Sequence, residues 1–356
     1  MRLDEPAWWY DASRRSLAAR LLGPLGALYG AAVERRFAAA APYRSALPVI
    51  CVGNFTAGGT GKTPLTRYLL AALAARGKRG VCLTRGYGGS LAGPVWVESA
   101  RHTAHEVGDE PLLIARGAVD GGAEGASARV MVARDRRAGM MAIEASVAAD
   151  AVVMDDGLQN PHLAKDLSIA VVDARRGFGN GHVIPAGPLR AAVPFQLGLV
   201  DCIVVMGREA GAGGLPAGEA LKKRFPGPVL SGAVEAAGDP GWIRGARLVA
   251  FAGIANPMRF FHMLESFAPQ SLACRTFPDH HPFTDAEAAR LMAEAEAAGA
   301  ELVTTEKDLA RLAGLPGACG DLAARSRTLP ICVAFGERDR VRLDALIDGV
   351  LKRGSG

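Results

Sequence analysis

The residues best placed to do chemistry are Thr56-Ala57-Gly58-Gly59-Thr60-Gly61-Lys62-Thr63. They follow the apolar run Leu47-Pro48-Val49-Ile50-Cys51-Val52-Gly53-Asn54, which reads as a buried strand. A strand, a glycine-rich loop and a helix start in that order form the setting of a phosphate-binding P-loop. Loop glycines let backbone N–H groups turn inward onto phosphate oxygens. Lys62 would reach the β- and γ-phosphates, and the Thr63 hydroxyl would hold Mg²⁺. The helix that follows, carrying Leu65, Leu69, Leu70 and Leu73, would point its positive end at the anion. One position departs from the pattern. Thr56 stands where a glycine usually opens the loop, and Gly58 and Gly59 supply the flexibility instead.

A second signal is Ala151-Val152-Val153-Met154-Asp155-Asp156-Gly157-Leu158-Gln159. A hydrophobic strand ending in an acid is where P-loop proteins hold their metal, directly or through water. Successive strand residues face opposite ways, so Asp155 and Asp156 would not both ligate it directly. Arg85 closes another apolar run, Leu83-Thr84-Arg85-Gly86-Tyr87-Gly88-Gly89, where it could meet a phosphate. In Val107-Gly108-Asp109-Glu110-Pro111, Asp109 could cap a helix with Pro111 in its first turn. A capping side chain can still face a cleft. In Phe277-Pro278-Asp279-His280-His281-Pro282-Phe283-Thr284, Thr284 and Glu287 form a capping box for the next helix. The histidine pair has no third or fourth ligand close in sequence, which disfavours zinc and leaves acid–base work.

These residues need elements to position them. Apolar strand-like runs lie at Val49–Gly53, Gly80–Thr84, Arg129–Ala133, Ala151–Met154, Ser168–Asp173, Cys202–Met206, Leu248–Ala252, Leu302–Thr304 and Ile331–Ala334. Alanine-rich helical stretches such as Pro64–Ala75 and Asp285–Gly299 alternate with them. The pattern predicts α/β architecture: a P-loop NTPase-like parallel sheet with helices on both faces, plus a second, smaller α/β domain. The expected partition is a P-loop domain over residues 41–178, a Gly/Pro-rich linker over 179–195 and a second domain over 196–356. Gly211–Gly218 reads as a surface loop.

With 356 residues, 49% hydrophobic and 22% charged, the chain is globular rather than disordered. Its net charge of +5 comes without a dense Lys/Arg run, and aromatic residues are sparse, which argues against a nucleic-acid partner. A phosphorylated substrate or an anionic membrane surface suits the charge. Six scattered cysteines with no C-x-x-C pair read as reduced thiols. Residues 1–40 form a separate region. Trp8, Trp9 and Tyr10 precede Arg14 and Arg15, and Ser16–Phe37 is rich in Leu, Ala and Gly. The apolar part between Arg20 and Glu34 is too short and glycine-rich to span a bilayer. It fits either a helix lying in the membrane interface or one packed on the protein's own core.

Taken in order, Thr56–Pro64, Arg85–Gly89, Gly108–Pro111, Asp155–Gln159, Pro185–Arg190, Phe251–Pro257, Asp279–His281 and Thr305–Asp308 resemble the tetraacyldisaccharide 4′-kinase family of lipid A biosynthesis. The resemblance implies ATP and Mg²⁺ as cofactors. It implies transfer of the γ-phosphate to the 4′-hydroxyl of a tetraacylated glucosamine disaccharide 1-phosphate. It places the chain at the cytoplasmic face of the inner membrane, through its amino-terminal helix, with no obligate protein partner. Catalysis would fall to Lys62 and to a dyad of Asp109 and His280 drawn from two domains, with His281 as the neighbouring alternative. Residues 56–63, Arg85 and Gln159 would hold the nucleotide, and Thr63, Asp155 and Asp156 the metal. The family usually carries an acid after the Pro-Ala-Gly-Pro-Leu-Arg run. Here that residue is Ala191, which puts any role of that acid in doubt. Other readings of the same P-loop are a GTPase or metallochaperone, a kinase of a soluble molecule, or a non-enzymatic nucleotide-binding partner. A guanine site would show Asn-Lys-x-Asp; Thr305-Glu306-Lys307-Asp308 lacks the Asn.

Overall fold

The computed structural model describes residues 5–10, 16–117, 128–146, 148–207 and 217–353. Arg14, Arg15 and most of the loop expected at Gly211–Gly218 lie outside them; residues 217–222 are helical. The strands are β1 (Val49–Asn54), β2 (Gly80–Thr84), β3 (Val95–Trp96), β4 (Arg129–Val132), β5 (Ala151–Asp155) and β6 (Leu167–Asp173). They continue with β7 (Cys202–Met206), β8 (Val229–Ala236), β9 (Arg247–Ala252), β10 (Ser271–Thr276), β11 (Glu301–Thr304), β12 (Ser326–Thr328) and β13 (Ile331–Phe335).

The chain divides into two compact units. The first comprises Met1–Arg85, Ala133–Val234 and Val333–Gly356; the second comprises Gly86–Val132 and Glu235–Cys332. This differs from the partition expected from sequence. Residues 86–132 leave the P-loop unit and pack with 235–332, because the helix Asp109–Ala115 lies against the helix Glu306–Leu312. Nor is 179–195 a linker. Its backbone is hydrogen-bonded to the P-loop, with Ala57 N–H donating to Pro188 O at 2.8 Å and Arg190 N–H to Phe55 O at 2.9 Å. The amino-terminal region is part of the first unit as well. The Trp9 indole N–H donates to Pro185 O at 3.2 Å.

In the first unit, strands run in the order β8-β7-β6-β1-β5-β2, and every pairing is parallel. β1 and β5 are buried at every position, so both read as unbroken apolar runs rather than alternating ones. Their register sets Val52 opposite Asp155. The loop after β1 and the acids after β5 therefore leave the sheet side by side, at the carboxyl ends where open α/β sheets bind ligands. The helix Lys62–Ala74 packs back on β1, β2 and β5 through buried Leu65, Leu69 and Leu73.

In the second unit, β10-β9-β11-β12 form a parallel sheet, and β3 and β4 an antiparallel pair. β9 shows why this sheet is covered on both faces. Val249 and Phe251 join a core with Leu291 and Ala295 of the helix Asp285–Ala298. Leu248, Ala250 and Ala252 join another with Phe260, Phe261 and Leu264 of the helix Pro257–Glu265. Period-two alternation sends each set to its own layer.

Candidate active site

The P-loop is shaped by its glycines. Gly58 and Gly61 both have φ near +92°, a region that L side chains disfavour, and Gly61 is the N-cap of the helix Lys62–Ala74. Thr56 needs no such freedom. It is buried and extended, bridged antiparallel to Leu189, with its carbonyl accepting Arg190 Nε at 3.1 Å. This explains why a β-branched residue is tolerated where a glycine is common. Thr60 and Thr63 are 5% and 3% exposed, and Thr60 Oγ1 has no hydrogen-bond partner among the described residues. A buried hydroxyl without a partner is costly unless a ligand supplies one.

Lys62 lies in the first turn of that helix, its side chain 10% exposed, with Nζ 3.7 Å from Asp156 Oδ1. Asp156 adopts φ +48°, which Asp tolerates better than most residues. Arg190 clamps it with two donors, Nη1 to Oδ1 at 2.9 Å and Nη2 to Oδ2 at 3.2 Å. Burial pushes the Asp156 carboxyl up, but Lys62 and Arg190 more than reverse this, and the group stays ionised well below the usual carboxylate range. Asp155 is 1% exposed and accepts Thr66 Oγ1 at 2.9 Å. The two acids thus have different surroundings, as opposite-facing neighbours should.

The oxygens of Thr63, Asp155 and Asp156 are the hard-donor set that suits Mg²⁺. No cluster of three His, Cys, Asp or Glu able to hold a metal occurs among the described residues.

Gln159 is held in the scaffold. Its Nε2 donates to Asn54 O at 2.8 Å and Gln196 Oε1 at 2.9 Å, while its Oε1 accepts Arg190 Nη1 at 3.2 Å. Arg85 is exposed at the end of β2 and adds no hydrogen bond to this network among the described residues. Ala191 is fully buried, with its carbonyl accepting Gln196 Nε2 at 2.8 Å.

Asp109 and His280 come together within the second unit. Gly108, at φ +94°, is the N-cap of the helix Asp109–Ala115, and an added Cβ would sit 2.6 Å from Tyr87 O. Asp109 is therefore a first-turn residue rather than the cap, and its Oδ1 accepts Glu110 N–H at 2.9 Å. Its Oδ2 lies 2.9 Å from His280 Nδ1 and accepts Arg311 Nε at 3.1 Å. Burial pushes the Asp109 carboxyl up, yet His280, Lys307 and Arg311 together hold it far below the usual range. The hydrogen bond to Asp109 raises the His280 pKa above its ordinary value. His280 has φ +56°, and its ring lies 5.6 Å from that of Tyr87. His281 faces elsewhere, its Nε2 3.0 Å from Glu287 Oε2 and its ring stacked on Phe277. The dyad is assembled inside one unit, so the expectation that it would need residues from two domains is corrected.

Sequence reasoning named Arg190 and Lys307 only as members of motifs, without a role, and passed over Arg311. Lys307 pairs with Glu110, and Thr305 caps the helix Glu306–Leu312 by accepting Asp308 N–H at 3.1 Å. Thr305–Asp308 is thus a capped helix start beside Asp109 and Glu110. The four-residue spacing of Lys307 and Arg311 on a helix was the signal available. For Arg190 no local spacing gave one.

The family model for tetraacyldisaccharide-1-P 4′-kinase matches residues 18–352. A tetraacyldisaccharide 4′-kinase of Rhodopseudomonas palustris (strain BisA53) is 49% identical over 93% of this chain and 92% of its own length. One of Parvibaculum lavamentivorans is 44% identical over 98% of both. Among solved structures, LpxK from Aquifex aeolicus in complex with ATP superposes with a TM-score of 0.72 at 23% identity, covering 94% of this chain and all of that one. The fold is shared with that neighbour. By the family model and the extent of identity, the chain belongs to the tetraacyldisaccharide-1-P 4′-kinase family.

Proposed function

We propose that this chain transfers the γ-phosphoryl group of ATP to the 4′-hydroxyl of a tetraacylated glucosamine disaccharide 1-phosphate. The observation that carries the reading is the buried Asp109 hydrogen-bonded to His280 at 2.9 Å, in a chain that also has a P-loop lysine. The loop amides and the helix amino terminus bind the phosphates, and Lys62 neutralises charge growing on the transferring oxygens. Thr63 with Asp155 or Asp156 would hold Mg²⁺, which when bound shields the β- and γ-phosphate charge. Asp109 accepts the sugar hydroxyl proton, and His280 orients its carboxylate. In a loose transition state the hydroxyl proton becomes acidic only as its oxygen bonds to phosphorus, so a positioned carboxylate can accept it. Incubation with γ-labelled ATP, Mg²⁺ and the disaccharide 1-phosphate lipid is expected to label the lipid. Labelling of no lipid acceptor, with ATP consumed by water or a soluble alcohol, would refute the assignment.

The acceptor carries acyl chains, so the enzyme must meet it at a bilayer. No helix among the described residues is long and apolar enough to cross one. The helix Leu17–Ala38 instead presents Leu17, Leu21, Leu25, Leu28 and Tyr29 to solvent, at 47–71% exposure, and buries the small residues Ala19, Gly26 and Gly30 with Val33. Leucines on the outer face of a helix reverse the usual globular pattern and suit insertion among lipid headgroups at the cytoplasmic face of the inner membrane. Trp9 and Tyr10 contribute less than their composition suggests, since each is half-buried and hydrogen-bonded within the protein. Replacing Leu21, Leu25 and Leu28 together by Glu is expected to cut retention on anionic liposomes by at least about tenfold, since each buried leucine is worth about 1.5–3 kcal/mol. Turnover of detergent-dispersed substrate should stay within about twofold. Unchanged liposome retention would remove this helix from the membrane contact.

A further inference from the structure

Arg311 has no part in the mechanism above, yet four segments of the second unit meet on its guanidinium. Nε donates to Asp109 Oδ2 at 3.1 Å, and Nη2 donates to Gly253 O at 2.9 Å. Nη1 lies 2.9 Å from Asp308 Oδ1 and donates to His281 O at 3.5 Å. The side chain is only 11% exposed. Gly253 O also accepts His280 N–H at 3.1 Å. A non-glycine residue at φ +56° persists only where its surroundings over-determine it. Arg311 supplies two of those constraints, one through the Gly253 carbonyl and one through the His281 carbonyl. A planar fork of five donors can serve four acceptors in fixed directions; an ammonium on a flexible stem cannot.

We propose that Arg311 is the positioning residue of the base: it fixes Asp109 through Oδ2 and pins the His280 loop, leaving Oδ1 to receive the hydroxyl proton. The proposal rests on the assignment of Asp109 as base. Oδ1 accepts Glu110 N–H and retains a second lone pair. The charged groups facing Asp109 and His280 are Glu110 on Asp109's own helix, Lys307, Asp308 and Arg311 on the helix Glu306–Leu312, and Asp279 in the histidine loop. Removing Arg311 takes one cation from a buried carboxylate whose remaining partners are His280 and Lys307. The Asp109 pKa must then rise, and the fraction ionised at mildly acidic pH must fall.

The test uses the full chain carrying Arg311→Met, Arg311→Lys or Asp109→Asn, with kcat and kcat/KM followed from acid to neutral pH. Arg311→Met is expected to lower kcat by about 10²-fold, the cost of misplacing a reacting group by about 1 Å. The KM for ATP should stay within about twofold, and the acidic limb should move to higher pH. Arg311→Lys should return the acidic limb towards wild type without restoring kcat, because it keeps the charge and loses the fork. An Arg311→Met enzyme with an unmoved acidic limb, or an Arg311→Lys enzyme with wild-type kcat, overturns the proposal. If Arg311→Met does not fold, Arg311→Lys decides by its kcat alone. A near-wild-type Asp109→Asn enzyme would instead refute the base assignment itself, so the two failures are distinct.

Discussion

Asp109→Asn is expected to lower kcat by about 10²–10⁴-fold, the usual worth of a positioned general base, while the affinity for ATP stays within about twofold. Asn keeps the shape of the side chain, and its carbonyl can still accept Arg311 Nε, so the network loses its charge rather than its packing. That matters because an alanine would also remove the acceptor of Arg311 Nε and the partner of His280 Nδ1, leaving buried polar groups unsatisfied at about 1–3 kcal/mol each, although Lys307 keeps Glu110 and Arg311 keeps Asp308. The pH dependence follows from the direction of the shift. The depressed Asp109 pKa keeps the carboxylate ionised throughout the neutral range, so the acidic limb that Asp109 sets in the wild-type enzyme is expected below the ordinary carboxylate range. The stability that this ionised group contributes is likewise present above its unfolded-state pKa and lost as pH falls towards its folded one. The measurement is single-turnover phosphorylation of the lipid acceptor beside equilibrium binding of ATP. Equal loss of both would mean that the substitution had damaged the protein generally. Retention of wild-type turnover would leave the proton acceptor to be found elsewhere.

How far the sequence could be read depends on where each signal was stored. All nine strands expected from apolar runs are present; those at the centre of the parallel sheets, such as β1 and β5, are buried on both faces and advertise themselves as unbroken hydrophobic stretches. The four that were passed over lack that mark. β10 is the edge strand Ser271–Thr276, with no buried residue, and β3 and β12 span two and three residues. β8, Val229–Ala236, is diluted by Gly232 and two alanines. The same rule holds at the site. Lys62, Thr63, Asp155 and Asp156 could be found because the P-loop and the strand-end acids are local patterns, and β1 and β5 lie adjacent in register. Arg190 could not, because its bond to Asp156 spans 34 residues and depends on a Gly/Pro-rich segment folding back on the loop. The pairing of Asp109 with His280 spans 171 residues. It was reached only through the order of several weak motifs, and the unit in which it forms was misplaced because residues 86–132 interrupt the P-loop unit in sequence.

Lys62→Met is expected to lower kcat/KM by about 10³-fold, the scale on which fixed charges act on a transferring phosphoryl group, with little effect on folding. The two expectations come from different magnitudes. The Lys62–Asp156 contact is long, at 3.7 Å, and the Asp156 side chain is 33% exposed, so as a structural ion pair it is worth about 0–1 kcal/mol. Arg190 remains to hold Asp156 with two hydrogen bonds. The same ammonium, itself largely buried, set against the developing charge of a triphosphate acts in a lower effective dielectric than bulk water. Methionine retains the stem and the packing of the first helical turn, so the comparison isolates the charge. Lys62→Arg should recover little. Its broad guanidinium must fit beside Thr63 and Asp156 at a turn whose shape is set by Gly61, and Arg and Lys differ in geometry as much as in hydration. The check is kcat/KM for ATP beside a thermal melt. A large fall in activity with an unchanged melting temperature places Lys62 in the reaction. A parallel loss of both, or activity within about tenfold of wild type, would mean that the loop lysine serves the fold and that the triphosphate is neutralised by other groups.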